Sequence, residues 1–526
     1  MSNDMLKLQS MHNISSTAKG QSAKDRFIPV MIHILLILSA IAEVSLFSLV
    51  SSPFLGYGYC HDSSLFEIIG KYWAKGYIPY TDFWDSKGPY VFLVDAIAYS
   101  LGGKRGLYVL EIINLYITKL ICFKTLSLKT GKIFACVLTI VCVSLCIPRF
   151  WYYGNNQSEW CLPYIAGITY CIFKYSLQEE KNFPVKYGYI IGLTVGVCMM
   201  SRPANALFTL IASFCVIIYL IYNKRGKNIL HNCIIATLGV ATVCLPFVIY
   251  FAIKHSLYDM IYATFLYNSK YVSSVNISSS NYVTSYMIEA LFRDFYFVTM
   301  CVIAMCYKIQ NKKYRSLIVF NIPIILSIIC TCLIGLGFIH YYIVWMPISL
   351  CVIIDLKDSV KSKIVFCLLF SYMIIWSFMS MTTYILNDEC LYAIRNDDQV
   401  KVQEICDSMV ESIPESSTFL SINEPLQHEL YLKYDIKPNN KYFYYQDTYA
   451  DIDSSIRKDI VNDFKSNPPD YVLYSEINDV SFRKDKKIYE SVYYDELISH
   501  YTVIRHVKAI EGNEKYSDIY LLKFKK

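Results

Sequence analysis

Long apolar runs alternate along this chain with short clusters of lysine and arginine, and that alternation limits the fold more than any other feature. Ile34–Val50, Ile133–Ile147 and Ile364–Leu386 are three of the runs. The clusters are Lys124/Lys129/Lys132, Lys174/Lys181/Lys186, Lys224/Arg225/Lys227, Lys308/Lys312/Lys313/Arg315 and Lys357/Lys361/Lys363. Hydrocarbon accepts a helix because a helix satisfies its own backbone hydrogen bonds, so runs of this length predict transmembrane helices. Only 17% of the 526 residues are charged and 55% are hydrophobic, against about 25% charged in a soluble domain. The net charge of +6 sits in short loops and not on one stripe, which speaks to topology and against a nucleic-acid partner.

Candidate spans are 28–50, 106–126, 133–150, 157–175, 187–201, 204–222, 229–251, 287–307, 316–334, 341–355 and 364–386. With the N-terminus in the cytoplasm, every basic cluster stays there only if Tyr90–Leu101 does not cross. That segment is too short, since a span needs about twenty residues, and it carries Asp95. Its Phe92, Leu93, Ala96, Ile97 and Leu101 fall near helical spacing, so it reads as a helix lying on the outer membrane surface. Leu65–Trp73 reads the same way, with Leu65, Ile68, Ile69, Tyr72 and Trp73 on one face. The expected fold is therefore an all-α polytopic membrane protein of about eleven spans, with two juxtamembrane helices in its first outer loop. Glu43, inside the first span, is expected to face other helices.

The cysteines lie mostly within apolar runs, show no CxxC pair and no metal-ligand spacing, and read as small packing residues. Cys60, Cys390 and Cys406 lie outside the runs, and a pairing among them stays open. From Asn387 the composition becomes that of a soluble domain. "STFLSI", "DYVLYS", "YTVIRHVKAI" and "DIYLLKFKK" read as strands and "VQEICDSMVESI" as an amphipathic helix, a small α/β domain outside the membrane. The domain boundaries are thus 1–27 for a cytoplasmic tail, 28–386 for the membrane module with 51–105 as its first outer loop, and 387–526 for the soluble domain.

Polar residues of the loops gather on the outer side: His61-Asp62, Asp82/Asp85/Lys87, Arg149 with Asn155, Asn156 and Glu159, Arg202 with Asn205, and His340-Tyr341-Tyr342. Converging polar groups at one membrane face suit a reaction there, whereas a transport path places them at mid-membrane. Each has a plainer reading. Ser64-x-x-Glu67 matches a capping box and Asp62 can cap the same helix. Asp82 and Asp85 can close turns, and Lys87-Gly88-Pro89 can start a helix with proline at its first position. Glu159 can cap a span, Arg202 can snorkel, and His340 can be an interfacial polar residue. The Tyr-rich loop 255–286 can fold over substrates or simply be solvated.

The order of span, early aspartate, surface helix, "YTDFWDSKGP" at 80–89, second surface helix and Arg/Lys-bearing spans resembles the GT-C glycosyltransferases. More narrowly it resembles bacterial relatives of protein O-mannosyltransferases and of lipid A aminoarabinose transferase. The resemblance covers about 28–355. Asp62-Ser63 stands where the family often has Asp-Glu, and Lys87-Gly88-Pro89 where it often has Lys-Pro-Pro. It implies a polyprenyl-phosphate-linked sugar as donor and inverting transfer to a glycan, lipid or protein acceptor on the outer face of the bacterial inner membrane. No metal or other cofactor is implied. Asp62 corresponds to the general base and Lys87 to the residue meeting the lipid phosphate, with Arg202 and His340 as further phosphate ligands. Asp82, Asp85, Asn156, Glu159 and Tyr341 are possible substrate-binding residues. A lipid-linked polysaccharide polymerase or a lipid-oligosaccharide exporter is the competing expectation.

Overall fold

The computed structural model of the chain describes residues 27–56, 59, 61–151, 153–274, 295–334, 339–359, 371, 375, 397–422, 429–475, 491–508 and 518–525. Helix α1 is Phe27–Phe47. It is followed by α2 His61–Ala74, α3 Pro89–Ser100, α4 Lys104–Leu126, α5 Lys132–Phe150, α6 Gln157–Trp160, α7 Leu162–Leu177, α8 Val185–Met200, α9 Leu207–Tyr222 and α10 Gly226–Ile253. Then come α11 Leu257–Ile261, α12 Asn268–Ser274, α13 Phe295–Gln310, α14 Ile322–Ile334 and α15 Met346–Ser359.

Phe27–Phe47, Lys104–Leu126, Pro203–Tyr222, Gly226–Ile253, Tyr314–Thr331 and His340–Lys357 are long and apolar enough to cross a membrane. The apolar stretches Lys132–Leu145 and Val185–Met200 are shorter, so two expected spans are helices that fall below that length. The span expected over 157–175 is divided into α6 and α7 at Cys161, where Pro163, which has no N–H to give, stands in the first turn of α7. The one over 287–307 is described from 295, and the one over 364–386 lies outside the described residues, as do Cys60 and Cys390.

Packing between the helices explains the polar residues within them. Glu43 is buried and accepts from Lys119 Nζ at 2.6 Å and from Ser144, so this costly carboxylate faces protein, as expected. Helices α8 and α10 touch backbone to backbone. A Cβ on Gly192 would lie 2.0 Å from the Ala236 carbonyl oxygen, and one on Gly239 would lie 2.5 Å from that of Tyr189; small residues are what permit such an approach. At one end of the bundle Lys308 bonds Asp355 and Asn321, Lys129 Nζ lies 3.6 Å from Asp355, and Arg315 lies over the Tyr175 ring at 4.0 Å. Residues from several basic clusters therefore share one end.

The other end carries the loop between α1 and α4. Leu65, Ile68, Ile69 and Tyr72 of α2 are buried, as the helical pattern requires. Helix α2 begins at His61, a turn before the start that a Ser64–Glu67 capping box would set, so both residues lie inside it. Glu67 instead faces Lys104 Nζ at 3.7 Å. Helix α3 buries Phe92, Ala96 and Asp95 but exposes Ile97 and Leu101, so its apolar residues occupy two faces and not one.

The C-terminal part has four strands where the sequence suggests them: β1 Phe419–Ile422, β2 Tyr471–Ser475, β3 Tyr501–Val507 and β4 Ile519–Phe524. Their order is β1-β2-β4-β3. The pair β1/β2 is parallel with Phe419 opposite Tyr471, and β4 pairs antiparallel with both β2 and β3. Around the sheet lie α16 Asp397–Val410, α17 Glu429–Lys433, α18 Gln446–Ile452, α19 Ser454–Ser466 and α20 Tyr494–His500. This domain rests on the segment between α1 and α4. Lys71 pairs with Asp435, and the Trp84 N–H donates to the Lys441 carbonyl at 3.0 Å.

Candidate active site

The stretch 79–89 is shaped by its own backbone before any other element touches it. The Asp82 carboxylate accepts the Ile78 N–H at 2.6 Å, and the Tyr80 N–H donates to the Phe83 carbonyl at 2.7 Å. Asp82 thus closes a turn. Tyr80 sits at φ 70, a left-handed conformation that a tyrosine holds only when its surroundings impose it. Its buried ring packs between Phe92 and Phe251, and its hydroxyl donates to the Lys87 carbonyl at 2.7 Å. Asn268 Nδ2, from the start of α12, donates to the Ser86 carbonyl at 2.7 Å. The Gly88 N–H donates to the Ser201 carbonyl at 3.3 Å. Three different elements therefore fix the backbone on either side of Lys87. Gly88 precedes α3 and Pro89 opens it, where proline's missing N–H costs nothing.

Asp85 is 0% exposed. Its Oδ1 accepts the Ser86 N–H at 2.7 Å and the Tyr449 hydroxyl at 3.0 Å, and lies 3.9 Å from Lys87 Nζ. Its Oδ2 has no hydrogen-bond partner among the described residues. The Lys87 side chain remains 26% exposed. Burial works against its charge, but the Asp85 and Asp62 carboxylates outweigh that and hold it above the usual lysine range. Asp62 is partly exposed in the first turn of α2, where the helix N-terminus favours a negative charge. Its charge is felt by Lys87, Asp85, Tyr271, His340 and Tyr445.

The far wall is made of residues beyond α8. Arg202 follows α8, and its guanidinium carbon lies 3.0 Å from the Tyr341 ring centroid. His340 is buried in the 3₁₀ turn Ile339–Trp345, and its ring meets Tyr341 edge-on at 4.4 Å. A cavity of about 40 Å³ opens beside them, lined by Arg202, Asn205, Tyr341 and apolar Phe208, Val344 and Trp345. Asp62, Asp85, Lys87, Arg202, His340 and Tyr341 are thus brought together.

Asn156 and Glu159 are engaged elsewhere. Asn156 accepts the N–H groups of Ser158 and Glu159 at 3.0 Å each, and Glu159 reaches back to the Asn156 N–H, a reciprocal cap on α6. Asn155 ties this turn to Glu111 and Asp95, at 2.7 and 3.0 Å. The side chains of His61 and Arg149 lie outside the described residues.

Sequence reasoning did not single out Asn268, Tyr271, Tyr445 or Tyr449. The Tyr-rich loop beginning at 255 pointed toward the first two. Nothing local marked the others, which come from the soluble domain. The arrangement offers a carboxylate open to solvent, two cations and aromatic walls. Such a carboxylate can take a proton from a hydroxyl, and the two cations can neutralise an anion. Among the described residues no three His, Cys, Asp or Glu side chains are placed to hold a metal ion.

The protein-family pattern described as "Putative competence-induced protein Ccs4 N-terminal domain" matches residues 17–366. No curated protein matches the chain. Two similar solved structures come from Archaeoglobus fulgidus. One is the oligosaccharyltransferase AglB in complex with an inhibitory peptide and a dolichol-phosphate, at 12% identity and TM-score 0.46, covering 85% of this chain and 70% of that one. The other is an oligosaccharyltransferase complex with Zn and sulfate, at 12% identity and TM-score 0.47, covering 84% of this chain and 68% of that one.

Proposed function

The chain belongs to the competence-induced Ccs4 N-terminal domain family, and from that premise we propose that it is a membrane glycosyltransferase that moves a sugar from a polyprenyl-phosphate donor to an acceptor hydroxyl at the outer membrane face. The observation that carries this reading is Lys87, 3.9 Å from the buried Asp85 and held in place by the bonds of Tyr80, Asn268 and Gly88 on its flanking backbone. The partly exposed Asp62 carboxylate, in the first turn of α2, lies within electrostatic reach of that ammonium. The sequence resemblance of 80–89 to the GT-C glycosyltransferases points the same way.

The acceptor oxygen attacks the anomeric carbon from the face opposite the phosphate, and its proton passes to Asp62. The bond from the anomeric carbon to the phosphate oxygen breaks, and its electron pair stays on that oxygen. A hydroxyl is a poor nucleophile, and a positioned base contributes about 10²–10⁴-fold. The departing lipid phosphate gains negative charge, which Lys87 and Arg202 offset in a site whose donors are already oriented. His340 and Tyr341 hold Arg202 against the far wall. Inversion follows from one displacement without a covalent intermediate.

Asp62→Asn keeps the shape and removes the base. Purified protein supplied with a series of undecaprenyl-phosphate sugars is expected to consume one of them. The variant is expected to lose at least about 10²-fold of that turnover with an unchanged melting temperature. Full turnover by the variant would remove Asp62 from this role, and no consumption of any such donor by the natural protein would overturn the function itself.

A further inference from the structure

The C-terminal domain places a tyrosine beside this site at some conformational expense. Tyr445 sits at φ 48, ψ 31, immediately before α18, in the left-handed region that side chains with a Cβ avoid. The residue is 43% exposed, although buried rings flank it. Tyr444 lies beneath it with ring centroids 3.8 Å apart, and Tyr449 stands edge-on at 6.3 Å. Its hydroxyl is hydrogen-bonded with Tyr444, and Asp62, Lys87 and Tyr271 are within its electrostatic reach. A large ring held open to solvent in a strained conformation, beside the base and the ammonium, calls for a ligand.

We infer that Tyr445, backed by Tyr444, is the face on which the pyranose ring of a carbohydrate acceptor stacks. The inference rests on the glycosyltransferase reading and narrows its acceptor to a glycan. One face of a pyranose presents C–H bonds with partial positive charge, which match the negative face of an aromatic ring. Its hydroxyls stay free at the rim, and Asp62 stands at that rim to accept a proton. The shelf comes from the soluble domain, whereas Lys87 and Arg202 come from elements continuous with the membrane helices. The acceptor ring and the lipid phosphate therefore approach from opposite sides.

The framework holding the shelf explains how the ring keeps its place. Tyr449 donates to Asp85, and the Trp84 ring packs on Tyr449 at 4.6 Å, on Tyr267 at 5.0 Å and on Tyr442 at 5.5 Å. The start of α18 is thus fastened to the loop that carries Lys87, so shelf and ammonium keep a fixed relation.

The test is saturation-transfer NMR on the full-length protein in nanodiscs, with methyl glycosides of glucose, galactose and N-acetylglucosamine. Glucitol, which has the hydroxyls without the ring face, is the control. At least one pyranoside is expected to receive saturation at its ring C–H protons, and glucitol none. Tyr445→Gly is expected to abolish the signal with an equal or higher Tm, because glycine relieves the left-handed strain while removing the ring. Tyr445→Trp is expected to keep the signal. Absence of a pyranoside signal in the natural protein, or an undiminished one in Tyr445→Gly, would overturn the inference. The readout needs no turnover, so the two readings fail separately. Tyr445-dependent binding without consumption of any lipid-phosphate sugar sinks the transferase reading, and donor consumption without pyranoside binding sinks the shelf.

Discussion

At the residue scale, the carboxylates around Lys87 change how firmly it holds its proton. Two carboxylates, Asp85 and Asp62, outweigh its burial and hold its proton above the ordinary lysine value of 10.5. A raised lysine pKa means that the ion pair's contribution is complete below 10.5 and fades as pH rises through the higher folded-state value. Donor kcat/KM is therefore expected to show no loss attributable to Lys87 from neutral pH up to that value. In Asp85→Asn the alkaline loss is expected to begin at lower pH, which a pH–rate profile of the two proteins would show. Lys87→Ala is expected to cost about 10²–10³-fold in donor kcat/KM, with Lys87→Arg recovering part of it. Asp62, Lys87 and Arg202 could be named as candidates from the sequence because polar residues stand out between apolar runs and the first two fit a family resemblance. Tyr445 and Tyr449 were not, since tyrosine is common here, with 47 in the chain. Tyr449 also meets Asp85 from 364 positions away.

At the element scale, the junction of α3 with α8 decides where Lys87 can stand. A Cβ on Gly88 would lie 2.2 Å from the Met200 carbonyl oxygen and 2.8 Å from that of Ser201. Both obstacles are backbone, so neither can rotate aside. Gly88→Ala is expected to push α3 away from α8 and to destabilise the protein by about 1–3 kcal/mol, visible as a lower Tm, with donor KM raised because Lys87 moves with the helix start. A neutral Gly88→Ala would mean that this contact is looser than the geometry gives. The glycine at 88 thus has a structural reason. Most helices and all four strands were readable from apolar periodicity and turn residues. The start of α2 was not: Ser64 and Glu67 have capping-box spacing, but Asp62 already lies inside the first turn. The division of 157–175 was also missed, although Pro163 stands where the two helices part.

At the scale of the whole molecule, the soluble domain is held to the membrane part by two kinds of contact that respond differently to perturbation. One is ionic. Lys270 Nζ lies 2.6 Å from Asp453, but its side chain is 47% exposed, and exposed pairs contribute about 0–1 kcal/mol. Despite its burial, Asp453 is held well below the usual carboxylate range by Lys270, Tyr262 and Ser455. Its share is present above the ordinary value of 3.8 and is lost only as pH falls below it. The other contact is aromatic and dry. Trp84 is buried among Tyr267, Tyr442 and Tyr449, and Phe83 meets Phe443 edge-on at 5.8 Å. Removing a buried tryptophan side chain costs about 3–5 kcal/mol. Trp84→Ala is therefore expected to loosen the docked domain where Lys270→Ala and high salt do not. Hydrogen–deuterium exchange over 79–89 reports this directly, because the amide at 84 is bonded to the Lys441 carbonyl. Faster exchange there in Trp84→Ala, with no change in Lys270→Ala, is the expected pattern. The reverse pattern would make the docking electrostatic, and the placement of Tyr445 beside Asp62 would then depend on ionic strength.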